Sequence, residues 1–327
     1  MPRTLRTLAA LSLAALAVPG LASCTADASA APEPTSPVSA AVTVDNCGTE
    51  VTVDGPPQRI VTVKSSTLEL ALALGAGDRI VGTAYSDGPL PADLASAGAD
   101  IPVLADKVPS QEAVLALNPD FVFAGWESNF SADGVGERDA LQQLGVTTYV
   151  APAACQEKEY QPDPLTFDAV FDSFLQAGDL LGEKAAAQKL VAAQKAQLAK
   201  LTPDDRGLTA VWYSSGSDQP FVGAGIGAPQ LLMHSAGLTN AFADVKESWF
   251  STSWEKVADL DPDVIVLVDS TWNTAQHKID VLKANPVTST LKAVRDDAFL
   301  TVDFPATESG VRNVDAVSSL IDQLAER

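Results

Sequence analysis

Glu112-Ala-Val-Leu-Ala-Leu-Asn-Pro-Asp120 runs into the apolar stretch Phe121-Val-Phe-Ala124, and 143 residues on, Glu255-Lys-Val-Ala-Asp-Leu-Asp-Pro-Asp263 runs into Val264-Ile-Val-Leu-Val268. Each copy reads as a short helix, then a proline that ends it, then a buried strand. Proline disfavours helix at the residue before it, so the stops fall at Asn118 and Asp261. The repeat distance is too long for a solenoid, whose units run to roughly 20–50 residues. It predicts two similar α/β lobes facing each other across a cleft. The plainer alternative is that helix-Pro-Asp-strand is only a common αβ connection.

The first residues read as an address. Arg3 and Arg6 precede the apolar run Leu8–Val18, too short to span a bilayer as a helix. The run closes on Leu21-Ala-Ser-Cys24, which resembles the bacterial lipoprotein box, so residues 1–23 are expected to be a signal peptide and Cys24 the lipidated first residue. The alternative is a plain signal peptide with an incidental cysteine. Residues 24–44, rich in Ala, Pro, Ser and Thr over most of their length, lack the large apolar side chains needed for a core and read as a flexible tether. Removing 1–23 leaves 42 acids against 19 bases, a net charge of −23. Such a chain is poorly suited to nucleic acid or to an anionic membrane surface. With Cys24 lipidated, Cys47 and Cys155 remain, an even pair outside the cytoplasm that reads as one disulfide.

The first lobe is expected over 45–165. Strand candidates are Arg59–Val63, Arg79–Ala84, Ile101–Leu104, Phe121–Ala124 and Val146–Val150, alternating with helical runs at Thr67–Leu74, Gln111–Leu117 and Arg138–Leu144. From 166 to 202 there is no strand pattern and no proline, and the spacing of Phe167, Val170, Phe171, Phe174, Leu180, Leu190 and Leu198 is helical. One long helix, with a kink at Gly178 or Gly182, is expected to join the lobes. The second lobe, 203–327, opens on the strand Leu208–Tyr213 and ends in a helix over Val314–Leu324. The fold class is therefore α/β, two Rossmann-like lobes joined by one long helix with the cleft between them.

In order and spacing, the chain over 45–325 resembles the helical-backbone class of ABC-importer substrate-binding proteins, which take ferric siderophores, haem or cobalamin. The carriers are Gln58-Arg-Ile-Val61, Ser66-Thr-Leu-Glu-Leu-Ala-Leu-Ala-Leu-Gly75, Asp78-Arg-Ile-Val-Gly82, the paired units quoted first, and the lipoprotein box. Asp106–Asn129, Tyr149–Cys155, Trp212–Gly216 and Gly223–Pro229 look closest to a subgroup proposed to import the precursor of the deazaflavin coenzyme. The resemblance implies a lipid-anchored, extracytoplasmic, monomeric receptor with permease and ATPase partners and no cofactor of its own. It also implies that a glutamate on each lobe docks onto the permease. Glu69 matches the first position; the matching helix of the second lobe, Ala228–Gly237, has no acid, and Gln230 or His234 is left to substitute. The alternative for Glu69 is a charge solvating an exposed helix face.

Ligands of open α/β sheets sit beyond the carboxyl ends of the strands. Those ends supply Lys64, Ser65, Tyr85, Trp126, Glu127 and Asn129 from the first lobe, and Tyr213, Ser214, Trp249, Trp272, Glu308 and Arg312 from the second. The tryptophans suit a flat conjugated ligand, and Lys64 and Arg312, opposed across the cleft, would hold its carboxylate or phosphate. Taken singly, each aromatic is as well explained by a lobe core, and each base by surface solvation. No metal site is expected, since His234 and His277 are the only histidines and their spacing fits none. No catalytic residue is assigned. The competing class, an exported α/β hydrolase, calls for a Gly-x-Ser-x-Gly elbow, and the chain has none.

Overall fold

The computed structural model describes residues 41–327; the signal segment, Cys24 and the tether as far as residue 40 lie outside the described residues. The first lobe begins with a hairpin, β1 (Val42–Asn46) and β2 (Thr49–Val53), so the last residues assigned to the tether are strand. There follow β3 (Ile60–Val63), α1 (Ser65–Ala73), β4 (Ile80–Ala84), α2 (Ala95–Gly98), α3 (Gln111–Leu115), β5 (Phe121–Ala124), α4 (Arg138–Gln143) and β6 (Thr147–Val150). They form a parallel sheet ordered β4-β3-β5-β6. The stretch Ile101–Leu104, expected as a strand, contributes only a single bridge from Val103 to Thr83.

The second lobe comprises β7 (Thr209–Ser215), β8 (Phe221–Gly223), α7 (Ala228–Ser235), β9 (Thr239–Asn240), β10 (Trp249–Ser251), α8 (Trp254–Leu260), β11 (Val264–Asp269), α9 (Ala275–Ala284), α10 (Lys292–Arg295), β12 (Phe299–Asp303) and α11 (Asn313–Ala325). Its sheet runs β10-β8-β7-β11-β12, with β9 pairing onto β7. The strands β7, β11 and β12 are parallel, and β8 and β10 antiparallel.

The repeat that opens the sequence has one physical role in both lobes. Asn118 and Asp261 take left-handed φ values of 47° and 37°, which Asn and Asp tolerate, and so turn the chain out of α3 and α8. The Pro-Asp that follows delivers a carboxylate to the start of the neighbouring strand. Asp120 accepts the backbone N–H groups of Gln58 and Arg59 at 2.7 and 2.8 Å, ahead of β3. Asp263 accepts the N–H and hydroxyl of Thr209, both at 2.9 Å, at the start of β7. In each lobe the clamped strand then pairs in parallel with the strand following the Asp.

The expected single helix over 166–202 is two helices, α5 (Phe167–Leu181) and α6 (Lys184–Leu198). Gly182, in the left-handed region at φ 74°, ends the first, and a Cβ there would lie 2.5 Å from Pro56 Cγ. The two helices run antiparallel. Lys195 pairs with Asp168 at 3.2 Å, and Gly178 is so close to Ala187 that an added Cβ would meet it at 2.4 Å. Both helices bridge the lobes: Leu165, just ahead of α5, donates its N–H to Ile226 O at 2.8 Å in the second lobe, α5 runs to Gly182 beside Pro56 in the first, and α6 returns. Glu183 meets Arg79 at 2.7 Å in the first lobe, and Gln194 donates to Val311 O at 2.7 Å in the second. One apolar cluster unites this spine, joining Leu70, Phe171, Phe174 and Val191 to Ala228, Leu231 and Val314.

Cys47 and Cys155 are joined in a disulfide, which ties the β1–β2 turn to the loop after β6 across 108 residues. Asn46 beside it bonds both backbone groups of Val150, accepting at 2.8 Å and donating at 2.9 Å, so the hairpin is held to the sheet by polar and covalent contacts together.

Candidate functional site

Two chambers lie between the lobes where the strand ends converge. The first, about 480 Å³, is walled by Ser66, Trp126 and Glu127 of the first lobe and by Phe221, Trp249 and Glu308 of the second, among others. The second, about 650 Å³, is walled by Tyr85, Asp87 and Lys107 on one side and Trp272 and Phe304 on the other. Aromatic rings therefore face both chambers from both lobes. Trp249 stacks on Phe221 with centroids 5.9 Å apart, and Trp272 meets Phe304 edge-on at 5.7 Å.

Lys64 lies between the chambers. It sits at φ 88°, caps the start of α1 and is wholly buried. Its ammonium is 2.5 Å from Asp87 Oδ1 and 3.2 Å from Glu308 Oε1. The rings of Trp126, Tyr85 and Phe304 surround it at 3.7, 4.3 and 5.0 Å from their centroids. Ser66 donates to the other Glu308 oxygen at 3.0 Å, and Ser65 accepts the backbone N–H of Asp87 at 2.8 Å. Burial pushes the Asp87 and Glu308 carboxyls above the usual range, against the pull of Lys64.

Arg312 and Glu69 depart from both roles expected of them. Arg312 donates to the two Glu69 oxygens from Nε at 2.8 Å and Nη2 at 2.5 Å, and to Pro89 O at 2.6 Å. Arg312 is therefore spent on a carboxylate of the opposite lobe and lines neither chamber. Glu69 is only 1 % exposed, and burial raises its carboxyl against Arg312, so in this closed arrangement it offers no face to a permease. On the second lobe Gln230 is half-buried and accepts from Asn240 at 3.0 Å, while His234 is exposed.

Three other expected ligand residues are structural. Tyr213 is buried in the second-lobe core, edge-on to Trp254, with its hydroxyl donating to Gly216 O at 2.9 Å. Ser214 is buried and lines neither chamber. Asn129 is buried and accepts the Trp126 backbone N–H at 3.2 Å, fixing the turn that carries Trp126 and Glu127. Glu127 itself accepts the Gln156 N–H at 2.5 Å.

Residues that sequence reasoning missed include Phe221 and Phe304. Phe221 opens an antiparallel strand, so a search of strand carboxyl ends passes over it; Phe304 directly follows β12 and was within reach of that search. Lys278 of α9 was also missed. It is buried, forms no salt bridge among the described residues, and donates at 2.6 Å to both Val268 O and Asn273 O, bracing the turn that bears Trp272. Burial pulls its pKa down to about 8.

Two α/β lobes on a helical spine, with an aromatic groove at the strand ends, define a two-lobed binding protein. The chain belongs to the periplasmic binding protein family, whose model matches residues 60–306. It is 27 % identical over 86 % of its length to an uncharacterized ABC transporter substrate-binding lipoprotein, YvrC, of Bacillus subtilis, covering 85 % of that protein. It is 30 % identical over 68 % of its length to a cobalamin-binding protein of Halobacterium salinarum, covering 57 % of that protein. A crystal structure described as an ABC-type Fe3+-hydroxamate transport system from Saccharomonospora viridis superposes with a TM-score of 0.75 at 27 % identity, covering 86 % of this chain and 98 % of that one.

Proposed function

We propose that this protein is the extracytoplasmic substrate-binding component of an ABC importer, tethered by a lipid on Cys24. It captures a bulky ligand with a flat, conjugated part between its lobes and delivers it to a permease driven by separate ATPase subunits. The observation that carries this reading is the groove lined from both lobes by rings, above all Trp126 and Trp249 in the first chamber. Cobalamin, ferric siderophores, haem and the deazaflavin precursor are the candidates. The names of the relatives favour the first two. A family of binding proteins also counts against the exported hydrolase.

Titrating the purified protein calorimetrically with these four compounds tests the reading; micromolar or tighter binding of one supports it, and no binding by any sinks it. For the compound that binds, Trp126→Ala and Trp249→Ala are each expected to weaken affinity about 5- to 150-fold, the equivalent of about 1–3 kcal/mol per lost stacking ring. Unchanged affinity in both variants would move the ligand out of the first chamber.

A further inference from the structure

The two chambers are divided by Lys64 and the groups that surround it. Trp126 and Glu308 belong to the wall of the first, Tyr85, Asp87 and Phe304 to that of the second, and Lys64 touches all five while open to neither. Lys64 and Asp87 come from the first lobe, Glu308 and Phe304 from the second. The backbone is shaped around this side chain. Gly125 lies against it so closely that a Cβ would come 2.8 Å from Lys64 Cβ, and the lysine N–H is held to Ala84 O at 3.0 Å in spite of its positive φ.

A buried ion pair is inefficient glue between two lobes, since apolar side chains of the same volume hold as well or better. Its advantage is reversibility, because every charge regains water when the lobes part. One ammonium also serves two carboxylates, and among the described residues neither Asp87 Oδ2 nor Glu308 Oε1 has a hydrogen-bond partner, Glu308 Oε1 meeting the ammonium only as an ion pair at 3.2 Å. The second-lobe contact is the one that gives way on opening. It leaves the ammonium paired with Asp87 alone, with Ser66 and the first turn of α1 beside it, where Glu308 had placed its carboxylate.

We infer that the Lys64–Glu308 bridge is a latch across the empty groove, and that Glu308 holds the seat of an anionic oxygen group of the ligand, a carboxylate or phosphate, which displaces it to join the two chambers. The ligand half of this rests on the receptor reading above; the latch half does not.

The test starts on the protein without ligand, by small-angle scattering. Glu308→Gln, which removes the charge facing Lys64, is expected to enlarge the radius of gyration at pH 7. Unchanged scattering in the variant overturns the latch. Haem, which carries carboxylates, and cobalamin, which carries a phosphodiester, then serve as probes. Whichever binds should bind Glu308→Gln at least 10-fold more tightly and Lys64→Met at least 10-fold more weakly; equal affinities overturn the displaced-anion assignment. Expansion with neither probe bound leaves the latch standing and overturns the displaced-anion assignment. A bound probe with unchanged scattering overturns the latch and leaves the receptor reading standing.

Discussion

Arg312→Ala lowers the stability of the protein by about 3–5 kcal/mol, the loss expected when one member of a buried ion pair is removed and the other stays behind. Glu69 is the residue left behind. Its side chain is 1 % exposed and both of its oxygens are occupied by the guanidinium, so the variant must bury a naked carboxylate or protonate it. The comparison that isolates the cause is the apolar pair Glu69→Leu with Arg312→Met. It removes both charges at similar volume and should recover most of the loss. Urea denaturation of the three proteins decides the matter. If Arg312→Ala falls within about 0.5 kcal/mol of the parent, the contact behaves as an ordinary surface pair and its burial is not felt.

Breaking the disulfide should cost as much by another route. Replacing Cys47 and Cys155 together by alanine frees a loop of 108 residues in the unfolded chain, and the chain-entropy model puts the loss at about 4–5 kcal/mol. For a protein of this size the melting temperature should fall by about 8–15 °C. Cys155 also lies in the wall of the first chamber, so the same variant should bind less tightly as that wall loosens. Calorimetry with and without a reducing agent gives the measurement; a shift of less than about 2 °C would mean that the Asn46–Val150 pairing and the sheet hold the hairpin unaided.

Much of the fold was legible because its signals are local. The Asn118-Pro-Asp and Asp261-Pro-Asp stops mark a helix end, a turn and a strand start within three residues, and the structure uses all of them. The helical spine was half legible. Gly178 and Gly182 mark a kink, and nothing nearby in sequence announces that Ala187 and Pro56 pack against them so closely that the chain must double back. The groove was legible as a place and less so as a set of contacts. Trp126, Glu127, Trp249 and Glu308 were found by strand ends alone. What covers Glu69 lies 243 residues away, and a glutamate on a nine-residue helix reads as solvated until Arg312 is seen against it. Lys64 was placed at its strand end, yet the two carboxylates that neutralise it come from separate loops. Tyr213 failed for a related reason. Successive side chains of β7 face opposite sides of the sheet, and both sides are core, with Trp212 in one cluster and Tyr213 against Trp254 in another.

The apolar spine has a consequence for how the molecule comes apart. Leu70, Phe171 and Val191 share one cluster with Leu231 and Val314, so neither lobe owns a complete core along that edge. Melting one lobe would strip the other of part of its interior. Two lobes that are separate to the eye are thus one cooperative unit in thermodynamics, and heat should take them through a single transition.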